Sequence, residues 1–161
     1  MKIVILAVTL LAPNLGNETT KEYGALIYKE ATRYKVDPLL LTAIIHVETG
    51  GKWDAYAVSK TNDYGLCQIH VSKSNIPRIY HKADILFKPS VNIHYGAKIL
   101  KMWKNYHNRS CANINNHRFW AHYKFGRKVR AKRWSGKVNK IYTRLKVKYG
   151  EMSMKILKVG E

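Results

Sequence analysis

The sequence is poor in acidic side chains. Among its 161 residues are 10 Asp and Glu but 29 Lys and Arg, which gives a formal net charge of +19. From Ile85 to Gly150 there is no Asp or Glu at all, while Lys and Arg continue throughout. Such a surface attracts polyanions, and the attraction weakens as salt screens it. The composition therefore favours an anionic partner, and nucleic acid and the bacterial cell wall fit it equally well.

The chain also lacks an apolar run long enough to cross a bilayer, which takes about 20 residues. The run from Ile3 to Ala12 is shorter and follows a lysine, a pattern typical of an export signal, although Pro13 makes a poor cleavage site. We interpret residues 1–16 as a signal peptide or hydrophobic N-terminal segment, and a buried first helix or strand is the alternative. Export would allow Cys67 and Cys111 to pair, and two buried free thiols are the alternative, because the sequence does not show that they approach each other.

Two kinds of binding motif are missing as well. The sequence has no glycine-rich loop of the kind that cradles phosphates. The seven histidines form no recognisable metal motif, because His117 and His122 lack the i, i+4 spacing of helical ligand pairs. His46 and Glu48 fall on two sides of one helix. The sequence therefore predicts neither a metal nor a cofactor.

What the sequence does contain is a series of helical patterns. Its length predicts one domain with a substantial core. Apolar residues recur at helical intervals in five segments: Thr19 (with capping-box spacing) to about Lys35, Pro38 to Thr49, Ser90 to Tyr106, about Ala112 to Tyr123, and Val138 to Tyr149. A helix interrupted near Pro77 is expected over 72–80, and residues 50–65 are a loop region. We predict a mainly α fold with one domain over 17–150 and a short tail over 151–161.

Glu48 is the most informative residue, because it places a carboxyl at the C-terminal end of the second of these helices, directly after an apolar run. Asp37 can cap that helix, Pro38 suits its first turn, and Gly50-Gly51 stop it. The carboxyl then lies at the negative end of the helix dipole beside apolar neighbours, and both effects favour its protonated form. A protonated carboxyl near neutral pH is what a general acid requires. A solvated Glu at a helix end is the alternative explanation.

Glu48 and three further segments together form a recognisable sequence pattern. The segments are Asn62–His70, which contains Gly-Leu-Cys-Gln, Phe87–Ala97, and Ala121–Gly126, which contains Ala-His-Tyr-Lys. In this order and at this spacing, the chain from about Tyr23 to Tyr149 resembles the lytic transglycosylases of the goose-type lysozyme superfamily. Their signature is a Glu-Ser at a helix end, a Gly-Leu-Met-Gln after a short loop, and a later Ala-Tyr-Asn ahead of a Gly.

The resemblance implies a lysozyme-like α+β fold, mostly helical with at most a short strand pair. It also implies cleavage of the β-1,4 bond between MurNAc and GlcNAc in peptidoglycan. Glu48 would be the catalytic residue, giving its proton to the leaving oxygen and then acting as base towards the C6 hydroxyl of muramic acid. That hydroxyl attacks its own C1, so the product has a 1,6-anhydro end and water is not a reactant.

The motifs imply four substrate-binding residues, and each has a structural alternative. Thr49 could anchor Glu48 or simply cap the helix, and Gly65 could allow close backbone approach or an ordinary turn. Gln68 could bind sugar amides or Glu48, or else the backbone of its own loop. Tyr123 could orient the acid and steady an oxocarbenium charge, or pack in the core. Three positions depart from the family pattern: Thr49 stands in place of Ser, Cys67 in place of Met, and Lys124 in place of Asn.

The expected partners are peptidoglycan glycan strands, with the anionic wall held by the basic C-terminal half of a monomer. The expected location is the periplasm or cell wall, or release by a phage. Two other functions fit the same residues. One is a goose-type hydrolytic lysozyme in which Asp63 or Asp54 positions water. The other is an inactive basic protein that binds cell wall or nucleic acid.

Overall fold

The computed structural model describes residues 1–71, 83–111, 117–127 and 132–158, and in the last range the side chains of 133–149. The helix expected over 72–80 and the first part of the one expected from Ala112 lie outside these residues. The described elements are the helices α1 (Lys2–Leu11), α2 (Asn17–Tyr34), α3 (Pro38–Glu48), α4 (Pro89–Ser110), α5 (Ala121–Phe125) and α6 (Lys132–Lys158), a 3₁₀ helix (Ala83–Phe87), and the strands β1 (Asp63–Tyr64) and β2 (Ile69–His70). The predicted mainly α fold with one short strand pair is confirmed.

Helix α3 is the centre of the core. It packs against α1, α2, α4 and α6, and its residues from Leu40 to Ile45 are all buried. The start follows the sequence prediction, because the Asp37 side chain accepts a hydrogen bond from Leu39 N at 2.8 Å with Pro38 as the first helical residue. A helix that is apolar all round can be stable only when other elements cover every face. Its last residue is therefore held in a fixed place.

Helix α2 begins earlier than its sequence suggested. The capping-box spacing placed the N-terminus at Thr19, but the helix begins at Asn17 after Gly16, and Thr20 N already bonds to Gly16 O at 2.9 Å. Thr19 thus lies inside the helix and is not its N-cap, so the capping-box prediction is wrong. Contact with α1 stabilises this end in place of a side-chain cap.

The N-terminal segment forms helix α1, which contributes Val4, Ala7 and Val8 to the core. Gly24 of α2 lies so close to Ile5 that a Cβ there would be 2.7 Å from the Ile5 side chain. In this structure the segment is thus a buried helix, and its role as an export signal stays a prediction. None of the described helices is both long and apolar enough to cross a bilayer.

The two strands pair antiparallel after α3, with Asp63 opposite His70 and Tyr64 opposite Ile69. Helix α4 then runs from Pro89 to Ser110, longer than expected at both ends. Residues 117–120 form turns, so the helix expected to end at Tyr123 is wrong there, and only the short α5 follows. Helix α6 packs along α3 and continues to Lys158, through most of the segment expected to be a tail.

Candidate active site

Glu48 is the last residue of α3, and its side chain is only 4% exposed. Thr49 is the C-cap residue, and Gly50 and Gly51 take positive φ angles of 59° and 83°, which end the helix. The Thr49 hydroxyl donates to Ile45 O at 2.8 Å, a second bond to a carbonyl that already accepts from Thr49 N at 3.0 Å. The end of the core helix thus holds a carboxyl at a buried position.

Lys124 contacts this carboxyl from α5. Its Nζ lies 3.0 Å from Glu48 Oε2, and its own side chain is 35% exposed. Burial raises the pKa of Glu48, and the charge and hydrogen bond of Lys124 oppose that rise, but the net direction is upward. The indole of Trp134 also lowers this pKa to a smaller extent, while the charge of Asp63 adds to the rise. The desolvation of Glu48 therefore outweighs the nearby cation.

Asp63 is engaged within its own loop and hairpin. Its carboxylate accepts hydrogen bonds from Thr61 Oγ1 at 2.8 Å and Ser59 Oγ at 3.0 Å, and it pairs with His70 Nδ1 at 2.8 Å. Burial alone would raise the pKa of Asp63, but these hydrogen bonds and Lys124 together hold it below its ordinary value. Asp54 is exposed and accepts a hydrogen bond from Tyr56 N at 2.8 Å. Both carboxylates therefore have local structural partners.

Gly65 and Gln68 belong to the tight turn between the two strands. Gly65 has a φ of +69°, and a Cβ there would lie 2.6 Å from Leu86 O and collide with the Asn92 side chain. Only glycine can combine this positive φ with the absence of a Cβ. Gln68 has a φ of 47°, and its side-chain amide donates to Gly65 O at 3.0 Å and more weakly to Ala57 O at 3.4 Å. The Gln68 amide thus bonds the backbone of its own loop in this structure.

Asn92 is a residue whose importance the sequence reasoning missed. It lies in the first turns of α4, is 1% exposed, and accepts a hydrogen bond from Cys67 N at 2.7 Å. Its amide nitrogen donates to Tyr64 O at 2.8 Å and to Leu86 O at 2.9 Å. Asn92 therefore fixes the Gly65–Gln68 turn against α4. The only local signal was its place in the segment Phe87–Ala97.

Tyr123 lies next to Lys124 in α5, and its hydroxyl donates to Cys67 O at 3.0 Å. Its ring is parallel to that of Trp134 from α6, with 6.4 Å between ring centroids. Burial, followed by the nearby Cys67 and Glu48, raises the pKa of the Tyr123 hydroxyl well above its usual value. Burial likewise raises the pKa of the Cys67 thiol. Both groups therefore stay protonated and serve as hydrogen-bonding or packing groups.

Three aromatic residues near the site, Trp53, Tyr56 and Tyr64, differ in how accessible their rings are to a sugar. Trp53 is 1% exposed and donates through its indole N–H to His46 Nδ1 at 3.3 Å, so its ring belongs to the core and is not available to stack on a sugar. Tyr56 is 74% exposed and packs its ring against Phe87 at 5.6 Å between centroids. Tyr64 also contacts Phe87, at 5.8 Å. Tyr56 is therefore the exposed member of an aromatic cluster whose other two rings, Tyr64 and Phe87, are half-buried.

The structure thus gathers several of the expected residues. Glu48 and Lys124 are in contact, and Tyr123 is bonded to the turn that carries Gly65 and Gln68. Thr49 caps α3 beside them. One buried acid with a raised pKa and a cation at 3.0 Å can donate a proton and then be stabilised as an anion. The two cysteines are both free, and Cys111 lies in a separate cluster with three histidines that could hold a metal.

Comparisons with known proteins identify the family of the chain. A family model described as the transglycosylase SLT domain matches residues 25–142. The chain is similar to the membrane-bound lytic murein transglycosylase C of Yersinia pestis (strain Pestoides F) and of Yersinia pseudotuberculosis serotype O:1b (strain IP 31758), with 30% identity over 124 residues in each case. The alignment covers 72% of this chain and 34% of each relative, so the chain spans about a third of the length of these relatives. No solved structure matches the chain significantly.

Proposed function

Because the chain belongs to the transglycosylase SLT domain family, we propose that it is a lytic transglycosylase. It cleaves the β-1,4 bond between MurNAc and GlcNAc in peptidoglycan and leaves 1,6-anhydro-MurNAc ends. The observation that carries the proposal is the state of Glu48, a carboxyl that is 4% exposed with a raised pKa at the end of the core helix. Such a group is protonated where an ordinary Glu is not, as a general acid must be.

The reaction needs only this one carboxyl. Glu48 gives its proton to the glycosidic oxygen as the bond from that oxygen to C1 of MurNAc breaks. The resulting carboxylate then takes the proton of the C6 hydroxyl, and O6 forms the new bond to C1. Glu48 ends protonated, as it began, and no water is consumed. In a hydrolase a second carboxylate would activate water, but Asp63 is bonded to Thr61, Ser59 and His70.

Lys124 supports the middle of this cycle. Between the two proton transfers Glu48 carries a negative charge in a buried position, which is costly unless a cation pairs with it. The ammonium group at 3.0 Å from Oε2 supplies that pairing. The same cation limits how far burial can raise the Glu48 pKa. We propose that Lys124 thereby sets the balance between the acid and base forms, a role that an amide at this position could not fill.

The other expected residues shape the site around the acid. We propose that Tyr123 holds α5 against the Gly65–Gln68 turn through its bond to Cys67 O. Gly65 lets the turn lie directly against Asn92, and the Gln68 side chain stiffens it. Substrate contact by Gln68 would then involve its amide oxygen, because its nitrogen is used by the loop. Thr49 stabilises the C-terminal end of α3 through its hydrogen bond to Ile45 O, and this helps to orient the Glu48 side chain.

The basic half of the chain gives a surface for an anionic substrate. Five of the exposed cations in the described part of helix α6 recur at intervals of three and four residues, so they follow one face of the helix. They are Arg133, Lys137, Lys140, Arg144 and Lys148. Residues 128–131 of the basic run that precedes them lie outside the described part. We propose that this face holds the enzyme on the wall, and the name of the relatives, membrane-bound, supports a place in the cell envelope.

Product analysis of digested peptidoglycan tests the proposal. Wild-type protein is incubated with purified sacculi, and the released fragments are identified by mass spectrometry. We expect 1,6-anhydro ends from the wild type. Glu48→Gln should lower activity at least about 100-fold, within the range of a general acid–base contribution. Glu22→Gln, at an exposed position on α2, is the matched control and should be as active as the wild type.

Three results would contradict this assignment. Reducing ends in place of anhydro ends would make the protein a hydrolase. Full activity of a folded Glu48→Gln variant would move catalysis to another residue. Wall binding without any cleavage by the wild type would make it a binding protein.

A further inference from the structure

Four metal-ligating side chains meet beside α5, away from the Glu48 carboxyl. His107 is in the last turn of α4, Cys111 caps that helix, His117 follows in the next described segment, and His122 is in α5. Their candidate ligand atoms all lie within 4.8 Å of one another. Cys111 and His122 are buried, at 8% and 1% exposure. This set of residues is called the His–Cys cluster below.

The distances within the His–Cys cluster suit a small ion. From His122 Nε2 the separations are 3.0 Å to His117 Nε2, 3.4 Å to His107 Nδ1 and 3.9 Å to Cys111 Sγ. Tetrahedral zinc with ordinary bonds to nitrogen and sulfur sets its ligand atoms about 3.3–3.7 Å apart. The three distances from His122 Nε2 bracket this range, and since no two ligand atoms are more than 4.8 Å apart, side-chain shifts of about 1 Å would bring all four to bonding distance of one ion.

His122 is already oriented as a ligand. Its Nδ1 is 2.7 Å from Gly126 O, and a carbonyl only accepts, so Nδ1 carries the proton. The neutral ring then turns the lone pair of Nε2 towards the other three groups. A hydrogen bond from the second ring nitrogen to a carbonyl is the usual outer partner of a metal-bound histidine. The ring is stacked on Trp103 at 5.5 Å and meets Tyr106 edge-on at 5.2 Å, so its direction is fixed.

Hydrogen bonding alone is the competing explanation. His117 could donate to His122 Nε2 across 3.0 Å, but the single lone pair of that atom faces three groups at once. A thiol is a weak donor and contributes little to such a network. A cation satisfies the lone pairs of all four groups together, and the donor set of three nitrogens and one sulfur fits a borderline-soft ion.

We propose that His107, Cys111, His117 and His122 bind one Zn²⁺. Four protein ligands close the coordination sphere, which is the arrangement of structural rather than catalytic zinc. Binding displaces the thiol proton of Cys111 to solvent and leaves a thiolate–zinc bond, so the chemistry balances without an oxidant or reductant. The site joins the end of α4 to α5. The metal thereby positions Tyr123 and Lys124, the two residues that follow His122.

Metal analysis of the full chain tests this proposal directly. The protein is purified without a histidine tag, dialysed against metal-free buffer, and its zinc content measured by mass spectrometry. We expect close to one equivalent per chain in the wild type. His122→Ala and Cys111→Ser should each lose most of it. His70→Gln, at an exposed histidine, and Cys67→Ala, at a thiol outside the cluster, are the matched controls and should keep it.

Cobalt substitution identifies the ligands and covers the case of variants that fold poorly. Co²⁺ added to the zinc-depleted protein should give the visible bands of a tetrahedral ion and a near-ultraviolet thiolate charge-transfer band. Cys111→His keeps four donors, so it should retain the visible bands and lose only the charge-transfer band. Removal of zinc by a chelator should also lower the melting temperature of the wild type but not that of His122→Ala.

Two outcomes would overturn the proposal. Wild-type protein that binds neither zinc nor cobalt at micromolar metal would leave the His–Cys cluster as a hydrogen-bonded group. Zinc that remains at one equivalent in folded His122→Ala and Cys111→Ser would place the ion elsewhere. Neither result depends on the activity of the Glu48 site, so the test is separate from that of the proposed function.

Discussion

Asn92 offers the sharpest test of how the site is held together. Replacing it with Ala removes the side-chain partner of three backbone groups: Cys67 N and Leu86 O, whose bonds to Asn92 are buried, and Tyr64 O, whose bond is partly buried. Each such group costs about 1–3 kcal/mol. Water entering the vacated space can satisfy part of this demand, so we expect a loss of about 3–5 kcal/mol in the free energy of unfolding. That is a large share of the about 5–15 kcal/mol typical of a domain.

Urea denaturation followed by circular dichroism measures this loss. Asn105→Ala is the matched control, because Asn105 is on the same helix α4 but exposed, and a surface change of this kind alters stability by less than about 0.5 kcal/mol. Asn92→Asp separates the two halves of the interaction. It keeps the acceptor for Cys67 N but sets a carboxylate against two carbonyl oxygens, so it should be at least as harmful as the Ala change.

In Asn92→Ala, the turn that carries Gly65 and Gln68 should also no longer be held against α4. We therefore expect activity on sacculi to fall more than ten-fold under conditions where the variant is still folded. An unfolding free energy within about 1 kcal/mol of the wild type, together with normal activity, would refute the reasoning. It would mean that the strand pair and its turn are held by packing rather than by the Asn92 side chain.

Three further predictions concern charge. Lys124→Met removes the cation that lowers the Glu48 pKa, so the acid stays protonated to higher pH. The high-pH limb of the pH–activity profile should therefore move to higher pH. A limb that stays in place or moves to lower pH in a folded variant would show that Lys124 does not act on the acid. Asp63→Asn and Asp54→Asn should each keep activity on sacculi within about ten-fold of the wild type, because the C6 hydroxyl replaces water as the nucleophile. A loss of activity as large as that of Glu48→Gln would favour the hydrolytic mechanism. Sedimentation with sacculi should show that wall binding by the wild type falls steeply as salt rises. A variant in which Arg133, Lys137, Lys140 and Arg144 are all replaced by Gln should bind equally weakly at low salt. Wall binding that is unchanged by both salt and these substitutions would exclude the α6 face as the anchor.

The core helix shows what the sequence alone could predict. Asp37, Pro38 and the two glycines are local signals whose physics acts within one helical turn, and α3 has the bounds they indicate to within a residue. The start of α2 shows the limit. Thr19 to Glu22 match a capping box, but packing against α1 continues the helix back to Asn17. A local pattern cannot register a tertiary contact that outweighs it.

The candidate site divides in the same way. The place of Glu48 at the end of α3 beside apolar neighbours could be predicted, because these signals are adjacent in sequence, and its role as the acid stays a proposal. Its pairing with Lys124 spans 76 residues, and the Asn92 bonds to the turn span 25 and 28, so no local pattern contains them. The His–Cys cluster is intermediate. His107 and Cys111 have the i, i+4 spacing of helical ligands, a signal present in the sequence, but His117 and His122 join them only through the fold.

Helix α5 connects these observations. It is a single five-residue helix, and a helix this short has no stability of its own in water. Its position must therefore come from contacts made by its side chains, and three consecutive residues make them in three directions. His122 lies in the His–Cys cluster, Tyr123 bonds Cys67 O, and Lys124 pairs with Glu48. Release of His122 from its partners would loosen the other two contacts, because no regular helix remains to hold them. The Glu48 site should consequently be sensitive to changes in the His–Cys cluster, although the cluster shares no residue with the Glu48–Lys124 pair.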